Sequence, residues 1–98
     1  EETLDVLSMT AQPEVFQGKA VRIYCERLRN PDATFMTCRA DGVSVVLETK
    51  YLSADALRYA FENCQGMMSS CSGTVSGVAT FVRGVPYISQ ASLEFSQE

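Results

Sequence analysis

Between Lys19 and Glu48 the chain reads KAVRIYCERLRNPDATFMTCRADGVSVVLE, three runs with apolar residues at alternate positions, joined by two turn signals. A period of two marks a half-buried β-strand, because successive side chains point to opposite faces of a sheet. Val21, Ile23 and Cys25 fall on one face of the first run, with Arg22, Tyr24 and Glu26 on the other. Asp41-Gly42 is a strong hairpin signal, since a type I′ turn needs positive φ at both central residues. It sets Cys38 opposite Val45 and Met36 opposite Leu47, so that Val43, Val45 and Leu47 continue the apolar face. At Asn30-Pro31-Asp32, proline presets its backbone angle and the flanking side chains bond nearby backbone, which predicts a second hairpin. Centred there, that hairpin pairs Cys25 with Cys38, Tyr24 with Arg39 and Leu28 with Phe35. The two registers agree on one inward face, and the stretch therefore predicts a three-stranded meander with a core to cover.

The flanks supply the cover. Residues 1–18 admit two readings, a short helix capped by Thr3 and carrying Leu4, Val6 and Leu7, or an edge strand of the same residues. Pro13 is expected to end either element, Val15 and Phe16 to plug one end of the core, and Gly18 to turn the chain. After the meander the period lengthens. Ser53 suits an N-cap, Asp55 the positive end of the helix dipole, and Leu57, Ala60, Phe61 and Cys64 form a stripe at i, i+3, i+4 and i+7. A helix over 54–64 is expected, stopped by Gly66. Two strands follow, Gly73–Val82 with a bulge or close approach at Gly77, and Tyr87–Phe95 with Ala91, Leu93 and Phe95 on one face, joined by a turn at Arg83-Gly84.

Three strands, one helix and a hairpin, in that order, resemble the OB-fold. The run from Pro13 to Val21 (PEVFQGKAV) is similar to the P-x-x-[aromatic]-x-G-K-x-V lead-in to the first strand of small exported bacterial OB-fold domains. Cys71-Ser72-Gly73-Thr74-Val75-Ser76-Gly77-Val78, and Pro86-Tyr87-Ile88 leading to Leu93-Glu94-Phe95, resemble their last hairpin. The resemblance implies a mainly β fold, a five-stranded Greek-key barrel with one α-helix between the third and fourth strands. It would occupy residues 13–95 of a single domain, with 1–12 an N-terminal segment and 96–98 a frayed tail. Such a likeness implies a fold and a binding face on the second and third strands, but not a reaction.

Four cysteines in a chain without histidine point to disulfides, which persist in oxidising compartments. Cys64 and Cys71 bracket six residues and pair with the least rearrangement. For Cys25 and Cys38 a bridge and two buried free thiols both stand. The expected location is periplasmic or secreted, a signal peptide having been removed. No apolar run approaches the roughly 20 residues that span a bilayer, so no membrane span is expected. The cysteines, with 12, 25 and 6 residues between them, lack the close pairs of a zinc knuckle or a C-x-x-C redox motif; no metal or other cofactor is expected.

Catalysis has little to draw on: histidine, the usual base near neutral pH, is absent, and no G-x-S-x-G elbow occurs. A non-enzymatic role is expected. The outward face of the meander carries Arg22, Tyr24, Leu28, Phe35, Arg39 and Val46, more apolar and aromatic than an ordinary solvated sheet face. Tyr24 beside Arg39 would form a cation-π pair, and Leu28 beside Phe35 an apolar patch. Three readings of this face stand: the N-terminal segment covers it through Leu4, Val6 and Leu7, a protein partner or a small or polymeric ligand binds it, or it is an ordinary sheet face. Binding to single-stranded nucleic acid through Arg22, Arg27, Arg29, Arg39 and the aromatics is the alternative function, and a structural or homodimerising domain the next. A net charge of −4 and the absence of tryptophan argue against a nucleic-acid partner, since phosphate backbones are held chiefly by clustered positive charge.

Overall fold

The computed structural model describes residues 3–29, 34–64 and 71–96. The expected turn at Asn30-Pro31-Asp32 and the helix stop at Gly66 lie outside the described residues. Six strands form one sheet: β1 (Ala20–Cys25), β2 (Arg27–Arg29), β3 (Phe35–Ala40), β4 (Val43–Glu48), β5 (Gly73–Val82) and β6 (Val85–Phe95). Three helices accompany them, α1 (Val6–Ala11), α2 (Pro13–Phe16) and α3 (Ala54–Asn63). The fold is mainly β, with α3 the main helix. Strand order is β1-β5-β6-β4-β3-β2, and every neighbouring pair is antiparallel except β4 with β6. The hydrogen-bonded ladder is open, with β1 and β2 as its edges.

Those two edges are consecutive in the chain, separated only by Glu26. This is where the structure departs from simple alternation. Ile23 and Cys25 are fully buried, as the period of two requires, but Leu28 is also fully buried, three positions after Cys25. Glu26 is the extra residue that resets the period, and Arg27 and Arg29 turn outward in place of Leu28. The β2–β3 register is accordingly displaced by three residues from the expected one: Arg27 lies opposite Arg39, Leu28 opposite Cys38 and Arg29 opposite Thr37. Two expected pairs are thereby corrected. Tyr24 lies opposite Thr74 of β5, not Arg39, and Phe35 opposite Glu48, not Leu28. The cause is competition for partners: β1 gives its hydrogen bonds to β5, and only β2 pairs with β3.

The β3–β4 hairpin follows its turn. Asp41 and Gly42 have φ of 53° and 78°, and Cys38 faces Val45 and Met36 faces Leu47 as expected. Arg83 and Gly84 make the same kind of turn between β5 and β6, with φ of 53° and 81°. The irregularity expected at Gly77 is present between Ser76 and Val78, where Gly77 faces two residues of β6, Gln90 and Ala91. Gln90 takes a φ of 53° there and donates its backbone N–H to Glu48 Oε1 at 3.1 Å. A Cβ on Gly77 would stand 2.5 Å from Ile88 Cγ2 and 2.7 Å from the Ser89 carbonyl oxygen, so the strands can meet here only at glycine.

Both disulfides are formed. Cys25–Cys38 joins β1 to β3 across the break at Glu26, and Cys64–Cys71 joins the end of α3 to the start of β5. Glu26 N–H donates to the Arg39 carbonyl beside the first bridge, and Leu28 N–H to the Cys71 carbonyl beside the second. Each bridge is worth about 2–4 kcal/mol, mainly by restricting the unfolded chain.

The helices close the two ends of the core. At the N-terminus the helical alternative holds, but Asp5 is the cap, accepting the Leu7 N–H at 3.0 Å, where Thr3 was expected. Val6 N–H donates to Asp41 Oδ2 at 3.2 Å, which seats α1 against the β3–β4 turn and buries Val6 and Met9 in the core. The segment therefore plugs the core, and Leu7 stays 54% exposed. Pro13 starts α2 instead of ending a structure, because at N1 its missing N–H would have had no partner. Phe16 packs on the core while Val15 is exposed. In α3, Ser53 caps as expected, accepting the Ala56 N–H at 3.1 Å, but the buried side is turned away from Phe61, which is 40% exposed. Ala60 and Cys64 are buried and Ala56 and Leu57 half-buried, a stripe centred on the small Ala60 and the Cys64 tether. Among the described residues no helix is long and apolar enough to cross a membrane.

Candidate functional site

The outer face of β2, β3 and β4 has a defined chemical layout because its registers are fixed on both sides of β3. One row runs Arg27, Arg39, Ser44; the next runs Arg29, Thr37, Val46, Tyr87; and Phe35 lies opposite Glu48 beyond them. Successive rows on a strand face lie about 7 Å apart. The arginine end forms a groove of about 490 Å³, lined by Arg27, Arg29 and Arg39 with Glu26, Thr37, Gly42 and Ser44. The other end is aromatic, with Phe35 set edge-on to Tyr87 at 6.3 Å between ring centroids.

Three arginines thus line one groove of a chain whose net charge is −4. Among the described residues none of the three makes an ion pair or a side-chain hydrogen bond, although Glu26 borders the groove. The Nε of Arg29 is out of contact with solvent and has no hydrogen-bond partner among those residues. Like charges placed directly across a strand pair destabilise it, so the Arg27–Arg39 juxtaposition is a cost to the fold. A planar fork of donors beside two hydroxyls suits an oxyanion.

The structure divides the residues expected to form one face. Phe35, Arg39 and Val46 share the outer face of β3 and β4. Leu28, expected there, is fully buried against the core, because the extra residue at Glu26 reverses its direction. Arg22 and Tyr24 sit on the far side of that break, facing Ser76 and Thr74 of β5. Tyr24 is 42% exposed and borders a cleft with Leu4, Leu7 and Asp41. Arg22 lines a separate, larger groove of about 900 Å³, walled by Leu4 and Phe16 and floored by Ser76, Gln90 and Ser92.

Arg27 and Arg29, expected only in the nucleic-acid alternative, prove central to the groove, and Thr37 and Ser44 were missed. The signal for the arginines was present. Arg27-Leu28-Arg29 is itself a polar-apolar-polar triplet, out of phase with Ile23 and Cys25 by one position. Among the described residues no group of three or more His, Cys, Asp or Glu is placed to hold a metal ion. Compared with known proteins, the chain matches no family model and no curated protein.

Proposed function

We propose that this chain is a non-enzymatic binding module of an exported protein, built on an OB-fold barrel, that takes its ligand on the outer face of β2, β3 and β4. The observation that carries this reading is the groove with three arginines and one glutamate among its described lining residues, flanked on the same face by Phe35 and Tyr87. A charged end and an aromatic end on a rigid sheet are what a site needs to orient a ligand without reacting with it. The barrel reading draws support from the stretch of residues 20–29, whose first part pairs with β5 and whose second part pairs with β3, bringing both ends of the sheet to one strand. The parallel β4–β6 contact and the single helix between β4 and β5 suit the same topology. Two disulfides support an oxidising compartment, periplasmic or extracellular.

Single-stranded nucleic acid is a second reading, favoured by aromatic rings beside arginines, since bases stack while phosphates pair. The net charge of −4 opposes it, and a protein partner or small ligand is preferred. The test is residue-resolved NMR of the amide signals during titration with a pyrophosphate, a single-stranded oligonucleotide, an acidic peptide and a neutral oligosaccharide. Shifts clustered on β2, β3 and β4 support the face, and the responding ligand names its class. Shifts that gather on the groove beside Arg22, or none with any of the four, overturn the assignment.

A further inference from the structure

Resting on the binding face just proposed, we infer that the arginine groove is a site for a doubly charged terminal phosphate group carried by a small molecule, with Arg27, Arg29 and Arg39 as its ligands. The argument is one of charge and spacing. Arg27 and Arg39 are direct cross-strand partners, and Arg29 is one row away beside Thr37. Arg27, Arg29 and Arg39 therefore line one groove from two neighbouring rows, a compact patch of positive side chains. A polymer backbone presents single charges in series, and a carboxylate presents one. A phosphomonoester or diphosphate terminus brings about two charges at neutral pH and three acceptor oxygens to a single point, which suits three arginines around one groove.

The groove has the remaining donors. Thr37 and Ser44, each with a hydroxyl, line it together with the three arginines, and arginine meets phosphate oxygens with two parallel hydrogen bonds at a time. Among the described residues Glu26 is the one carboxylate lining the groove, and over those residues three arginines stand against one glutamate, an excess of two positive charges. An anion bridging Arg27 and Arg39 would turn their repulsion into a shared attraction, so binding should stabilise the β2–β3 pair.

The experiment is calorimetric titration of the intact, disulfide-bonded chain with pyrophosphate, inorganic phosphate, dimethyl phosphate and acetate, with amide shifts recorded in parallel. Pyrophosphate is expected to bind with shifts confined to residues 27–29, 37–39 and 44, and at least about tenfold more tightly than the singly charged dimethyl phosphate or acetate. Arg27→Gln and Arg39→Gln should each weaken it about tenfold or more, the loss of a charge-assisted hydrogen bond, while Lys19→Gln on another face changes nothing. Well-dispersed amide spectra of the variants establish that they are folded. No shift with millimolar pyrophosphate, or equal affinity for the glutamine variants, overturns the phosphate site. If a peptide, oligosaccharide or oligonucleotide shifts this face while pyrophosphate does not, the phosphate inference falls and the binding face stands. Shifts gathered elsewhere bring down both.

Discussion

Arg27 stands directly opposite Arg39 across the β2–β3 pair, two positive side chains on the same outward face. If their repulsion is real, removing one of them should help the fold. Arg39→Gln is expected to raise stability toward urea at low ionic strength by about 0.2–1 kcal/mol. The difference should vanish in about 1 M salt, where charges more than roughly 3 Å apart are screened. A variant less stable than the parent at low salt would show that Arg39 is a structural group and not a free ligand-binding one.

Leu28 tests the extra residue at Glu26. Fully buried beside Cys38, it should cost about 2–5 kcal/mol on replacement by alanine. An outward leucine on an exposed sheet face would cost within about 0.5 kcal/mol. Equilibrium denaturation separates the two outcomes without reference to any ligand.

The Cys25–Cys38 bridge ties β1 to β3 at the point where the two strands are not paired along a ladder. The double variant Cys25→Ala with Cys38→Ala should lose about 2–4 kcal/mol. Amide exchange should rise most around Glu26 and Arg39, whose backbone hydrogen bond lies beside the bridge. Uniform exchange across all strands would contradict a local role for this bridge.

Gly77 and Gly42 should respond differently to alanine. At Gly77 a methyl group meets Ile88 and the Ser89 carbonyl at 2.5 and 2.7 Å, so strands must separate and the cost should exceed about 2 kcal/mol. At Gly42 nothing lies within 4 Å, and only the positive φ of 78° is strained, worth about 1–2 kcal/mol. Thermal or urea melts of the two variants give the ordering, and a smaller loss at Gly77 would count against the tight approach of β5 and β6.

How much of this was legible beforehand depends on the range of the deciding contacts. Asp41-Gly42 announced its turn because two adjacent residues carry the whole conformational demand, and the register followed for all six pairs of β3 with β4. Ser53 announced the start of α3 for the same local reason. Gly77 could be marked as irregular, but not that the extra residue belongs to the partner strand at Gln90. The binding face was legible in its residue types and half legible in its membership. Phe35, Arg39 and Val46 were placed together, whereas Leu28 went inward and Arg22 and Tyr24 went to another surface.

By itself the sequence determined the β3–β4 hairpin, the start of α3 and an inward face of which Ile23, Cys25, Met36, Cys38, Val45 and Leu47 are buried in the core and Val21 and Val43 pack partly buried against it. It also determined that Cys64 and Cys71, with six residues between them, would meet. Only the tertiary structure decided where the first extended stretch changes partners. Whether β1 bonds to β3 or to β5 is a competition between strands about fifty residues apart, settled by packing over the whole sheet, and no local preference of Glu26 reports it. That one displaced residue turned Leu28 into the core and brought Arg27 and Arg29 to face Thr37 and Arg39. The candidate site is a product of that exchange.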